Sequence, residues 1–213
     1  MNSPVIYLFA KKPVPGLVKT RLLDEFSMQQ AADIASGLLH ATVDRVCAAW
    51  PGQVVVSVWP DENHPAITKI KQKFDVQFDV QVPGELSHKM RAALHEGIAK
   101  HGAAAVLGCD IPHISKEILQ STFQSLCDGQ NVIGPTEDGG FYLIGLTQVE
   151  DKIFENIDWG TESVLDCTLS GLDRCEIASP ELLPSLRDLD TAEDVRWALQ
   201  SFAWLHDYLP VLK

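Results

Sequence analysis

Four cations, Lys11, Lys12, Lys19 and Arg21, share one short stretch with Pro13, Pro15 and Gly16. Arginine presents a fork of N–H donors and lysine a compact point charge, so such a cluster can grip phosphate oxygens. The prolines stiffen the backbone, and Gly16 permits a turn or the close approach of a ligand. The bland alternative is a solvated surface loop, and the stretch matches neither GxxxxGK[ST] nor GxGxxG. Its charge stands out because the whole chain carries 17 Lys and Arg against 29 Asp and Glu, a net charge of −12. That balance argues against nucleic acid as a partner and for a small anionic ligand at one basic loop.

Carboxylates recur at three later places. Asp110 ends the run "AAAVLGCD". A carboxylate just past a buried strand is costly unless it faces a cleft, a cation or a helix N-terminus. Magnesium prefers oxygen ligands and takes one or two carboxylates together with substrate phosphates, so Asp110 and the basic loop fit a nucleotide–metal complex. A turn or cap is the structural alternative. In "GPTEDGG", Glu137 and Asp138 precede Gly139 and Gly140. A hairpin turn explains the glycines, and a turn that binds an acceptor or a sugar is the functional reading. "RDLDTAEDV" crowds Asp188, Asp190, Glu193 and Asp194. There the helix macrodipole explains the acids better than a metal does, unless the turn folds back near Asp110. The histidines lack ligand spacing, His113 reads as a surface or capping residue and Cys109 as core. Trp59 and Trp197 read as core or rim, and Trp159 could depart from that reading.

The elements that must position these groups alternate. Strands read at Pro4–Ala10, Gln53–Trp59, Asp75–Val82, Ala103–Asp110, Asn131–Pro135 and Phe141–Leu146. The third alternates apolar and polar residues, as an edge strand does. Helices read from Met28 to Trp50, Pro65 to Phe74, Leu86 to Gly102 and Ser115 to Gly129, then around Thr161–Ser170 and Thr191–Leu205. Ser27 with Gln30, and Thr191 with Asp194, have the spacing of capping boxes. The alternation predicts a three-layer α/β/α domain over residues 1–213 with a mainly parallel sheet, mixed because two strands lie close together late in the chain. In such a sheet, ligands bind beyond the carboxyl ends of the strands, where the basic loop, "LGCDIP" and "GPTEDGG" sit. No apolar run reaches membrane-spanning length. The N-terminus lacks the pattern of a secretory leader. Cys47, Cys109, Cys127, Cys167 and Cys175 are odd in number and form no CxxC pair, which argues against disulfides or a zinc knuckle and for a cytoplasmic compartment.

Taken together, "FAKKPVPGLVKTRL", "LGCDIP", "GPTEDGGFYLIGL", "WGTESVLDCTL" and "DLDTAEDV" resemble, in this order, the bacterial glycosyltransferase-like family of the arsenosugar-biosynthesis type. That family is a branch of the nucleotide-diphosphosugar transferases with the Rossmann-like GT-A fold. The opening loop is also similar to phospholactate guanylyltransferases, and the order of motifs to molybdenum-cofactor guanylyltransferases. The resemblance implies that Lys11, Gly16, Lys19 and Arg21 hold nucleotide phosphates and that Asp110 holds Mg²⁺ or Mn²⁺, with Asp190 as a second metal contact. It further implies that Asp138, Gly139 and Gly140 shape the second-substrate pocket, near Trp159 and Thr161. Where the family often has "LGxRM", this chain has "LSHKM", so Lys89 keeps the charge of the arginine and loses its fork.

The expected activity is therefore transfer from a nucleotide-activated donor, most simply a nucleotide sugar, to a small hydroxyl-bearing acceptor. The alternatives are nucleotidyl transfer from an NTP to a phosphorylated metabolite, and a non-catalytic nucleotide-binding module. Residues 131–151 contain no Lys or Arg to meet a phosphorylated acceptor, which favours a hydroxyl acceptor. Neither nucleic acid nor membrane is expected as a partner, and a homodimer is compatible with the chain.

Overall fold

The structure is a computed structural model that describes residues 3–209. Val5–Lys11 (β1) is buried almost throughout, as a central strand covered on both faces must be. Met28–Ala49 (α1) follows, capped by Ser27 in a reciprocal box with Gln30. Then come Val54–Trp59 (β2), Pro65–Lys73 (α2), Gln77–Val80 (β3), Leu86–His101 (α3) and Ala104–Gly108 (β4). Lys116–Cys127 (α4) is capped by Ser115, and the hairpin of Val132–Pro135 (β5) and Phe141–Leu146 (β6) follows it. Val164–Arg174 (α5), Glu181–Leu182 (β7) and Ala192–Ser201 (α6) complete the order, and a 3-10 turn, Ala203–Asp207, follows.

The seven strands run in the order β3-β2-β1-β4-β6-β5-β7. Pairs β1–β2, β1–β4, β2–β3 and β5–β7 are parallel, whereas β6 is antiparallel to both β4 and β5. The sheet is thus mixed for the reason the sequence suggested, a tight hairpin late in the chain. β3 does lie at an edge. The chain leaves β1 on one side toward β2 and returns from β3 to β4 on the other. The loops after β1 and β4 therefore diverge and open a crevice at their carboxyl ends.

Alternation along the strands divides the core. Ile6 and Leu8 face α1, α2 and α4, while Val5 and Tyr7 face α3 and α5. The far side of α1 packs against α6 and the last 3-10 turn through Ile34, Leu38, Val195, Ala198 and Leu205. All five cysteines are unpaired.

Several expectations need correction. The helix placed at Thr161–Ser170 begins at Val164 and runs to Arg174, because residues 161–163 make turns against the β5–β6 hairpin. The last helix is interrupted at Phe202 and resumes as a 3-10 turn. β7 was not expected, since two exposed residues carry no periodicity. His113 is neither on the surface nor a cap. It stacks on Phe202 at 4.9 Å between ring centroids and meets Trp197 edge-on at 5.4 Å.

Burial, aided by the charge of Arg45, pushes the His113 imidazole down to about 4. The folded chain therefore holds it neutral while the unfolded chain protonates near its ordinary value. Stability should fall as pH drops from about 6.5 toward 4. Replacing it by phenylalanine, His113→Phe, should flatten that part of the pH dependence in thermal unfolding. Parallel melting curves against pH in the two proteins would contradict the assignment.

Candidate functional site

β1 ends in the basic loop, and the structure divides its four cations. Lys11 is exposed at the end of the strand. Lys12 pairs with Asp61 at 2.9 Å. Lys19, expected on a surface loop, is buried: its side chain is 7% exposed, and Nζ lies 2.7 Å from Asp110 and 2.8 Å from Asp190. It also donates to the carbonyl of Leu189 at 2.6 Å. Arg21 stays exposed and reaches Asp190 at 3.2 Å. Lys19 adopts a left-handed backbone, φ 47°, a conformation that costs a residue with a side chain about 1 kcal/mol and persists where surroundings enforce it. Gly16, at φ 78°, serves the turn beside Met28 and does not line the cavity around Lys19.

Asp110 sits just past β4, its side chain half exposed. Ser115 supplies the cap of α4, so capping does not explain the carboxylate. The acids near residue 190 do fold back to it. From β7 a strap runs beside β5, with Leu183 donating to Ile133 and Leu186 to Pro135, and Leu189 then donates to the carbonyl of Asp110 at 3.0 Å. The crowded acids there separate into two jobs. Asp194 closes the capping box of α6, accepting from the Thr191 amide at 2.7 Å and from Arg187 Nε at 2.7 Å. Asp188 and Asp190 face the crevice instead.

Electrostatics follow from this placement. Burial would push the Lys19 ammonium down, but Asp110 and Asp190 outweigh it and hold it up. Burial likewise works to raise Asp190, and Lys19 and Arg21 hold it below the usual carboxylate range. Asp188 has no such cation. Burial, then the charges of Asp190, Asp138 and Asp110, push it up to about 6. Asp188 is the site residue that sequence reasoning passed over, and its spacing from Asp190 was the only available signal.

Two cavities meet at Asp110. The first, about 470 Å³, is lined by Lys11, Lys19, Arg21 and Asp190, with Leu17 and Leu86 as exposed apolar rims. The second, about 320 Å³, is lined by Asp138, Asp188, Gly140, Tyr142, Trp159 and Thr161, among others. No Lys or Arg lines it. Phe9, Leu86, Gly108 and Asp110 belong to both. Lys89 stands apart from the first cavity, with its ammonium 3.6 Å from the centre of the Trp59 ring beside a smaller space shared with Lys11.

The paired glycines split their roles as well. Gly140 lines the second cavity, and Asp138 accepts from its amide at 3.2 Å and from the Thr136 hydroxyl at 2.6 Å. Gly139 does not line it. At φ 86° it lies beneath the backbone of Glu162, where an added Cβ would come within 2.2 Å of a carbonyl oxygen. Gly139 thereby seats the turn that carries Trp159 and Thr161.

Among the described residues no group of three or more His, Cys, Asp or Glu side chains converges as a metal cage. The donors present are two carboxylates, Asp110 and Asp190, already spanned by the Lys19 ammonium as a stand-in cation. Two such oxygen donors suit a hard divalent ion that also takes phosphate oxygens. No helix among these residues is long and apolar enough to cross a membrane.

Gly139→Ala should destabilise the protein by about 2 kcal/mol or more, because it adds a backbone overlap to the left-handed strain. Gly129→Ala, at φ 81° with open space around it, should cost only about 1 kcal/mol. Denaturant unfolding of both variants measures the difference, and equal losses would remove the role given to Gly139.

The fold has counterparts of known structure. A protein from Desulfovibrio desulfuricans G20 that carries the name nucleotide-diphospho-sugar transferase is 26% identical, with a TM-score of 0.83 over 94% of this chain and 88% of its own. A cytidylyltransferase from Leptospira borgpetersenii serovar Hardjo-bovis is 13% identical, with a TM-score of 0.62 over 100% and 94%. Rv0371c from Mycobacterium tuberculosis H37Rv, in its complex with manganese, is 16% identical, with a TM-score of 0.55 over 94% and 100%. At those two lower identities the likeness shows a shared fold. No curated protein matches the chain. Residues 42–161 match the model of the family described as an uncharacterized protein conserved in bacteria (DUF2064), and the chain belongs to that family.

Proposed function

We propose that the protein is a transferase that moves a glycosyl group from a nucleotide-diphosphate sugar to a small hydroxyl-bearing acceptor. One observation carries the reading: two cavities of opposite character share Asp110, one furnished with Lys11, Lys19 and Arg21 and the other with no cation at all. The first suits a nucleotide diphosphate, with Leu17 and Leu86 offering apolar surface to its base or ribose. The second suits an uncharged or cationic acceptor, since carboxylates repel a second phosphate in a site of low dielectric. The name carried by the D. desulfuricans protein agrees with this reading, as does the resemblance to the arsenosugar-type family.

In this reading Arg21 and Lys11 bind the diphosphate and orient its sugar toward Asp110. Asp110 and Asp190 would hold Mg²⁺ or Mn²⁺, and the manganese complex of Rv0371c supports that choice. The chemistry such an ion supplies, when bound, is neutralisation of charge on the departing diphosphate. Lys19, between the two carboxylates, keeps them from repelling each other before the ligand arrives. Asp138, fixed by Thr136 and the Gly140 amide, presents its second oxygen to the acceptor hydroxyl and can take its proton. Trp159 and Phe141, packed edge to face, wall the acceptor space and limit the entry of water.

The runner-up is nucleotidyl transfer, favoured by the fold shared with the cytidylyltransferase. It would place a phosphorylated metabolite against the cation-free cavity.

Arg21→Ala should weaken nucleoside diphosphate binding about ten- to a hundredfold, the worth of one charge-assisted hydrogen bond. Lys19→Ala should also lower the melting temperature, because it strands two partly buried carboxylates. Asp110→Asn should abolish the strengthening of nucleotide binding by Mg²⁺ or Mn²⁺. Calorimetry with and without metal measures each, and equal metal enhancement in wild type and Asp110→Asn would remove Asp110 from the metal site.

The reaction itself is tested by incubating the protein and metal with a pooled metabolite extract and either NDP-sugars or NTPs. Release of free nucleoside diphosphate from a sugar donor is the expected result. Pyrophosphate released from NTPs, with no nucleoside diphosphate from any sugar donor, would replace the proposal by the runner-up.

A further inference from the structure

We infer that the second cavity selects an acceptor bearing a protonated amine beside its hydroxyl group, the chemistry of an amino sugar or an amino alcohol. This rests on the reading of that cavity as the acceptor side.

Charge is the first argument. Asp110, Asp138 and Asp188 all line the space and no Lys or Arg does. Asp110 is paired with Lys19, but neither Asp138 nor Asp188 enters an ion pair among the described residues. Asp188 is half-buried there, and a carboxylate taken partly out of water is tolerated where a cation joins it. Among the described residues no three such groups converge as a metal cage.

Hydrogen-bond capacity is the second and independent argument. Two threonines line the cavity, and each hydroxyl is already donating: Thr136 to Asp138 at 2.6 Å and Thr161 to the carbonyl of Asp158 at 2.8 Å. What these groups leave for a ligand is chiefly carboxylate oxygen, an acceptor. A neutral polyol brings as many lone pairs as protons and leaves many of its lone pairs unmatched there. An ammonium group brings three donors and no acceptor, which is the complement of this lining.

Aromatic walls are the third argument. Phe9, Phe141 and Trp159 line the same space. Aromatic faces attract a desolvated cation in addition to shielding it from water. A purely anionic ligand would meet the negative faces of the rings and three carboxylates together.

The test is calorimetry on the full chain at pH 7 with matched probes: glucosamine against glucose, ethanolamine against ethylene glycol, and glucose 6-phosphate as the anionic counterpart. Nucleoside diphosphates with Mg²⁺ are titrated separately into the same protein. At least one amine should bind about tenfold or more tighter than its hydroxyl twin, the scale of one charged hydrogen bond. That preference should shrink in the isosteric Asp188→Asn variant and in Trp159→Leu, each first shown to be folded by circular dichroism. The inference is overturned if no amine outcompetes its hydroxyl twin, if glucose 6-phosphate binds best, or if the preference survives both variants. Nucleotide binding that persists while the amine preference is absent would sink this inference alone. Absent nucleotide binding would instead remove the transferase reading beneath it.

Discussion

The contact on which the rest of the site depends is the Lys19 ammonium held between Asp110 and Asp190. It joins the loop after β1, the end of β4 and the strap before α6 at one point. Such a pair is weak evidence of net stability, because taking the Lys19 ammonium and part of its carboxylates out of water costs about as much as their attraction returns. What it does strongly is forbid alternatives. With Lys19 displaced, two like charges face each other across the crevice, and with either aspartate displaced the buried ammonium keeps a single partner. The left-handed backbone of Lys19 and the return of Leu189 to the Asp110 carbonyl belong to the same constraint.

The division of the crevice follows from sheet topology. β1 and β4 are neighbours whose following loops part to opposite sides, so the basic loop and Asp110 flank one opening. The antiparallel β6 then turns the chain so that Asp138 and Gly140 face the same opening from the far side. Cations come from the β1 side and anions from the β5–β6 side, and no charge is shared except at Asp110. A single residue at the topological switch thus borders two cavities of unlike lining.

Much of this was legible in the sequence. The burial run of β1, the Ser27–Gln30 box, the edge pattern of β3 and the close hairpin of β5 and β6 each have a local cause, and the structure follows them. The strap was not legible, because Glu181–Leu182 is short, exposed and flanked by prolines, and its pairing to β5 depends on partners fifty residues away. For that reason Lys19 read as a free surface cation and Asp188 as part of a helix start. His113 escaped for a related reason: its aromatic neighbours, Trp197 and Phe202, come from the far end of the chain. Charge type and spacing can propose chemistry, whereas burial and counter-ions belong to the tertiary structure.

Lys19 and Asp190 lie 171 residues apart along the chain. During synthesis the basic loop, α1 and β4 leave the ribosome long before the strap does. Until then Lys19 has Asp110 as its sole carboxylate partner, and the wall of the first cavity that carries Asp190 is missing. Closing so long a loop is a late event, since its entropy must be met by contacts that form elsewhere first. A product cut short before Asp190 would lack the same wall.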